Sequence, residues 1–159
     1  MRKSISLVVL ALFIASCGES PKKESKGFEV TRKKQVAKTE ASSSEIPVDL
    51  SNKGIGPITS YAFSADVNMD LVEKGKRIYT GKCTACHLVD RRMIGPALKG
   101  IYDRRSPEWV LNILLNTNEM LQKDAVAKAL LKEYNNALMI NQNLTEDDAK
   151  AVAEYLRTL

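Results

Sequence analysis

Cys83-Thr84-Ala85-Cys86-His87 sets two thiols three positions apart with a histidine directly behind them. Thiols at that spacing can each add to a vinyl group of one porphyrin, and the adjoining imidazole can then ligate the iron from the same side. C-x-x-C-H is for that reason the attachment signature of a c-type haem. With three Cys and one His in 159 residues, the run is rare by chance. Two other readings exist. A thioredoxin-like C-x-x-C belongs in a βαβ context, and no strand-rich pattern surrounds this one. A zinc knuckle needs about four ligands, whereas the chain offers one further cysteine, Cys17, and no second histidine.

The chain before the motif divides by composition. Residues 1–16 read as a signal peptide: Arg2 and Lys3 give a positive start, and Ile5 to Ile14 is an apolar run broken only by Ser6. That run is too short to span a bilayer as a mature helix. Ile14-Ala15-Ser16-Cys17 resembles a bacterial lipobox, which implies cleavage before Cys17 and lipidation of its thiol. An ordinary secretory signal that leaves Cys17 free is the alternative. Either signal exports the chain, and c-type haem is joined to protein outside the cytosolic face of the membrane. One cysteine for lipid and two for haem leave none for a disulfide. The expected location is a bacterial membrane, with the haem domain anchored through Cys17 on its extracytoplasmic (periplasmic) side.

Residues 17–53 read as a tether. Glu19 to Glu45 is rich in Lys, Glu and Ser and has no sustained apolar period, so it buries too little apolar surface to offset chain entropy. Between Gly18 and Ser60, eight basic and six acidic residues nearly cancel, which suits a solvated spacer and gives no nucleic-acid arm. As a flexible coil of about 40 residues it reaches on the order of 35 Å root-mean-square. From Ile46 apolar residues return together with Pro47, Gly54, Gly56 and Pro57. Residues 54–65 are expected to form an extended lead-in lying on the domain that follows.

Residues 66–159 form a domain that is small for one unaided core, and a covalently stapled haem supplies apolar filling. Four helices are expected. The first runs from about Asn68 to Thr80 and delivers the chain to Cys83. Ser106-Pro107-Glu108-Trp109 starts the second with a capping serine, a proline at the first position and an acid; it runs to about Asn116. The third spans Asp124 to Tyr134 and is stopped by Asn135-Asn136. Thr145-Glu146-Asp147-Asp148 opens the last with a capping-box-like start whose acids suit the helix dipole.

The domain resembles class I cytochromes c over essentially its whole length. The resemblance implies an all-α cytochrome c fold, about four helices around one haem c attached through Cys83 and Cys86. It implies that the first and last helices cross at Gly75, with Tyr79 and Tyr155 packed beside the crossing. In Gly95-Pro96-Ala97-Leu98 it implies that the Pro96 carbonyl accepts a hydrogen bond from the free ring nitrogen of His87, which raises the basicity of the imidazole toward iron. Read alone, Pro96 also fits a simple turn proline, the lesser reading. Tyr102, Arg104, Arg105 and Trp109 resemble the cluster that holds a haem propionate in relatives, a role that suits arginine. Read alone, Arg91-Arg92 and Arg104-Arg105 fit solvated surface charge equally well.

The sixth iron ligand separates the possible functions. His87 is the only histidine, so a second histidine from the same chain is excluded. A methionine, a weaker ligand or an open site remains. Met69 precedes the motif, and Met93 follows His87 too closely. Met139 is favoured over Met120, because the order of ligand loop, Leu144, cap and final helix matches the family. Relatives usually carry proline after this methionine, where the chain has Ile140. His/Met ligation favours reduced iron and leaves no room for oxygen. That combination predicts a carrier of single electrons that is not an enzyme. The expected partners are transient redox proteins, a respiratory donor and a terminal oxidase or nitrogen-oxide reductase. Arg91 to Trp109 resembles small cytochromes that accompany nitrous oxide reductases. The rival function is a haem catalyst or a gas or redox sensor with a labile sixth position. Fourteen Lys/Arg against thirteen Asp/Glu in residues 66–159 predict little steering by net charge; the docking interface is expected to be weak, as redox encounters usually are, and the protein a monomer.

Overall fold

Asn68 begins the first helix by accepting a hydrogen bond from the Leu71 amide on its side chain, in an extended backbone conformation. This computed structural model describes residues 46–159. The signal peptide, Cys17 and the tether up to residue 45 lie outside the described residues. The elements are α1 (Met69–Lys82), a 3-10 turn (Ile101–Asp103), α2 (Pro107–Leu115), α3 (Thr117–Lys123), α4 (Ala125–Glu133) and α5 (Glu146–Leu156). Among the described residues the fold is all-α, and the one β-like pairing is a parallel bridge between Asp49 and Arg105. No helix among them is long and apolar enough to cross a membrane.

α1 and α5 cross at Gly75. A Cβ there would run into the Ala151 carbonyl oxygen, and would lie 2.6 Å from the carbonyl carbon and 2.9 Å from Tyr155 Cβ. Only a residue without a side chain lets the backbones approach this closely. The Tyr79 and Tyr155 rings pack beside the crossing with centroids 5.3 Å apart. The Asn68 amide also donates to Glu154 Oε1 in α5 at 2.9 Å, which pins the start of α1 to its partner.

Ser106 caps α2 by accepting from the Trp109 amide at 3.1 Å, Asp124 caps α4 through the Ala127 amide at 2.8 Å, and Thr145 caps α5 through the Asp148 amide at 3.2 Å. Asn135 and Asn136 end the α4 segment in the left-handed region, at φ 56° and 58°, where asparagine is tolerated better than most side chains. The expectation of four helices is one short. Residues 117–123, read as a connection, form α3. Its buried face holds Thr117 and Met120, and Met120 is fully enclosed in the core.

A second correction concerns residues 46–53, which composition assigns to the tether. They are seated on the domain. The Arg105 guanidinium donates to the Pro47 carbonyl at 2.9 Å, the Asp49 amide donates to the Arg104 carbonyl at 3.1 Å, and Ser106 Oγ donates to the Asn52 carbonyl at 2.6 Å. Together with the lead-in they make a strap across α2 and α3. Asn112 is its main clamp: Nδ2 donates to the carbonyls of Lys53 (2.9 Å) and Ile58 (2.8 Å), and Oδ1 accepts from the Ile58 amide at 3.0 Å. Gly56 passes so close that a Cβ would lie 2.8 Å from Asn112 Cγ. Phe63 packs edge-on against Tyr61 and Tyr102, at 5.3 and 5.0 Å between centroids.

Candidate functional site

α1 ends at Lys82 and hands the chain to the C-x-x-C-H run as a tight turn, the His87 amide donating to the Cys83 carbonyl at 2.9 Å. The Tyr79 hydroxyl donates to the His87 carbonyl at 2.9 Å and ties the turn back to α1. Cys83 and Cys86 form no disulfide; Cys86 is exposed, and burial pushes the Cys83 thiol, before it is joined to haem, above its ordinary value. Among the described residues no three His, Cys, Asp or Glu side chains converge on one point, so a zinc knuckle here lacks its other ligands.

Both cysteines and His87 line one cleft. Its walls include Ile94, Leu98 and Ile101 after the motif, Trp109, Val110 and Leu114 of α2, Leu130 of α4, Val152 and Leu156 of α5, and the segment Ala137 to Ile140. They enclose about 1410 Å³ of space, the open mouth included. Met139 is on this lining, in the loop between α4 and α5. Met120 is elsewhere: its Sδ accepts the Ile55 amide at 2.9 Å under the strap. Met69 and Met93 are exposed and lie off the cleft.

His87 Nδ1 stands 3.0 Å from the Pro96 carbonyl oxygen. A carbonyl only accepts, so Nδ1 carries the proton and the lone pair is left on Nε2. Gly95 fixes the ring further. A Cβ on Gly95 would lie 2.5 Å from His87 Cε1 and 2.9 Å from Nδ1, so the imidazole lies against bare backbone. An oriented Nε2, two thiols on the same cleft and apolar walls around them fit a haem that would be held by its own attachment turn.

Residues 72–159 match the family model for cytochrome c. The chain belongs to the cytochrome c family. A cytochrome c from Rhodothermus marinus is 38% identical to it, with a TM-score of 0.62 over 65% of this chain and 88% of that one. An engineered form of the Rhodothermus marinus protein is 37% identical at TM-score 0.62, covering 65% of this chain and 89% of its own. A further structure of the engineered form, bound to a carbene intermediate, is 38% identical at TM-score 0.60 over 65% and 88% of the two chains. No curated protein matches the chain. The family's cofactor is haem c joined through a Cys pair, which in this cytochrome is Cys83 and Cys86.

The four residues that resemble a propionate cluster do not share one role in this cytochrome. Tyr102 is off the cleft. Its hydroxyl donates to the Ala153 carbonyl of α5 at 3.0 Å, and burial pushes the phenol above its ordinary value, so its one proton is committed to the backbone. Trp109 does line the cleft, but its Nε1 donates to Asp124 Oδ1 at 3.0 Å. It lines the cleft with no polar hydrogen left for the cofactor, and its ring lies under the Arg105 guanidinium, 5.5 Å from centroid to Cζ. Arg104 and Arg105 remain on the lining. Arg104 donates to the carbonyls of Lys99 (3.0 Å) and Ala97 (3.1 Å), and Arg105 to that of Pro47. Each guanidinium has five N–H donors, so both keep capacity for a carboxylate. Burial, then the neighbouring Arg104, lowers the Arg105 pKa.

Arg92 also differs from free surface charge. It pairs with the Glu133 carboxylate and carbonyl, both at 2.5 Å, and stands 4.0 Å over the Tyr134 ring. It thereby joins the loop after His87 to the end of α4. Spacing in the sequence gives no sign of this contact.

Proposed function

We propose that this cytochrome is an extracytoplasmic single-electron shuttle, tethered to a bacterial membrane by lipid on Cys17, with His87 and Met139 as its two iron ligands. The observation that carries the reading is that Met139 shares the cleft of His87, while the Met120 sulfur is occupied by the Ile55 amide. Haem c, when bound, supplies one iron that changes charge by a single electron. The chain's part is to keep that site from rearranging. Pro96 holds the proton on His87 Nδ1, Gly95 seats the ring, and Tyr79 ties the attachment turn to α1. Arg104 and Arg105 are placed to balance propionate charge, and the apolar walls exclude water.

Leu138 and Ile140, flanking Met139, are 68% and 72% exposed, and Ile94 is half exposed at the same cleft. These apolar residues support a small docking face for transient redox partners. A respiratory donor and a terminal oxidase or a nitrogen-oxide reductase such as a nitrous oxide reductase are the partners proposed. The nearly balanced charge of the domain supports docking that depends weakly on salt. The rival reading, a catalyst or sensor with a labile sixth position, draws on Ile140 in place of the proline usual after this methionine. Carbon monoxide titration of the native ferrous protein separates the two. The shuttle reading expects no tight binding. Saturation at micromolar carbon monoxide would favour the sensor.

A further inference from the structure

Asp124 stands where three parts of the chain meet. Its Oδ1 accepts from Trp109 Nε1 at 3.0 Å and from the Ala127 amide at 2.8 Å, and its Oδ2 accepts from Asn52 Nδ2 at 2.8 Å. The residue ends α3, caps α4 and is buried at 6% exposure. Three donors use most of the acceptor capacity of a carboxylate.

Two of those three contacts lead to the cleft. Trp109 is part of its wall. α4 contributes Ala127, Leu130 and Leu131 to the lining, and its C-terminal end runs through Asn135-Asn136 into Met139. The third contact leads to the strap. Asn52 is itself fixed, since its carbonyl accepts from Ser106 Oγ at 2.6 Å and its Oδ1 accepts from the Gly54 amide at 2.7 Å. A strap held this way fixes Asp124 from outside. Asp124 in turn fixes both the indole ring and the N-terminal end of the helix that delivers the ligand loop.

We infer that Asp124 is a positioning residue for the iron's methionine ligand: tied to the strap through Asn52, it sets where Trp109 and α4 stand and so how firmly Met139 is held. The inference rests on the proposed reading of Met139 as the sixth ligand. A residue that only caps α4 would behave differently. Asparagine caps helices about as well as aspartate, so Asp124→Asn keeps the cap while placing an amide nitrogen against that of Asn52. Asn52→Ala breaks the same tie from the strap side and leaves the carboxylate in place. Asn116→Ala is the control. Its Nδ2 holds the strap at the Ile55 carbonyl, 3.1 Å away, without touching Asp124.

The test uses the full-length holoprotein and two readouts. One is carbon monoxide affinity of the ferrous form; the other is the urea midpoint of the ferric sulfur-to-iron band, compared with that of helical circular dichroism. Asp124→Asn and Asn52→Ala are expected to bind carbon monoxide about tenfold more tightly than the native protein, equivalent to about 1.4 kcal/mol. Their sulfur-to-iron band is expected to disappear before the helical signal, whereas in Asn116→Ala the two midpoints move together. Native carbon monoxide affinity in both tie variants would overturn the inference, as would band and helix melting together in them. Met139→Ala distinguishes the two ways of failing. If it also leaves the affinity native, the ligand assignment has failed and takes the inference with it; if it raises the affinity while the tie variants do not, only the role of Asp124 is overturned.

Discussion

Met139→Ala is expected to convert a closed, low-spin iron site into one that binds exogenous ligands. No other methionine among the described residues shares the cleft, since Met120 is buried under the strap and Met69 and Met93 are exposed off it. Alanine leaves the position to water or a weak ligand. Carbon monoxide affinity of the ferrous form should rise on the order of 100-fold, about 2.8 kcal/mol. Thioether ligation favours the reduced iron, so the reduction potential should fall by on the order of 0.2 V within the ~0.8 V that axial ligands span. The fold should survive, because Met139 sits in a loop at the edge of the core and α5 is capped independently by Thr145. Native potential and native carbon monoxide affinity in this variant would remove Met139 from the iron.

Two glycines in α1 make a second test with opposite signs. Gly75→Ala forces a methyl group against the Ala151 carbonyl of α5, backbone against backbone, with no flexible side chain to yield. Overpacking of this kind costs about 3 kcal/mol. For a domain this small, that corresponds to a fall of about 12–24 °C in melting temperature. Gly81 lies in the same helix, and a Cβ there meets nothing within 4 Å. Gly81→Ala should therefore raise stability by about 0.5–1 kcal/mol, the ordinary helical gain over glycine. Thermal melts of both variants, followed by circular dichroism, check the pair. Equal effects would mean that the helix crossing does not depend on Gly75.

The helix caps are legible in the sequence, and the strap only in its second half, as a lead-in over residues 54–65, for a physical reason. Helix starts are local events: Ser106 and Thr145 announce themselves within four residues, and both cap their helices as their positions predict. The C-x-x-C-H run and Gly95-Pro96 act over a similarly short span. Gly75 is visible only through the family resemblance, since nothing near it in sequence names Ala151 as its neighbour. The strap is held by Asn112, Ser106 and Arg105, more than fifty residues further along the chain. No periodicity encodes such ties, and the return of Ile46, Val48 and Leu50 marks a change of composition without naming the residues that hold the chain there. α3 escaped because it is a single short helix between Asn116 and Asp124 with no side-chain cap at its start.

The propionate cluster shows the limit of carrying roles by resemblance. Trp109 lines the cleft and Tyr102 lies off it, and each has one polar hydrogen, which in Tyr102 goes to Ala153 and in Trp109 to Asp124. Arg104 and Arg105 have donors to spare and stay on the cleft. Place on the cleft and the number of free donors together decide which of the four can still meet a carboxylate.

The visible spectrum of the native, full-length ferric protein tests the central claim most directly. With His87 and Met139 on the iron, the haem should be low-spin and show the weak long-wavelength band of sulfur-to-iron charge transfer. A high-spin spectrum without that band would contradict it, and would leave an open iron site suited to catalysis or sensing in place of a shuttle.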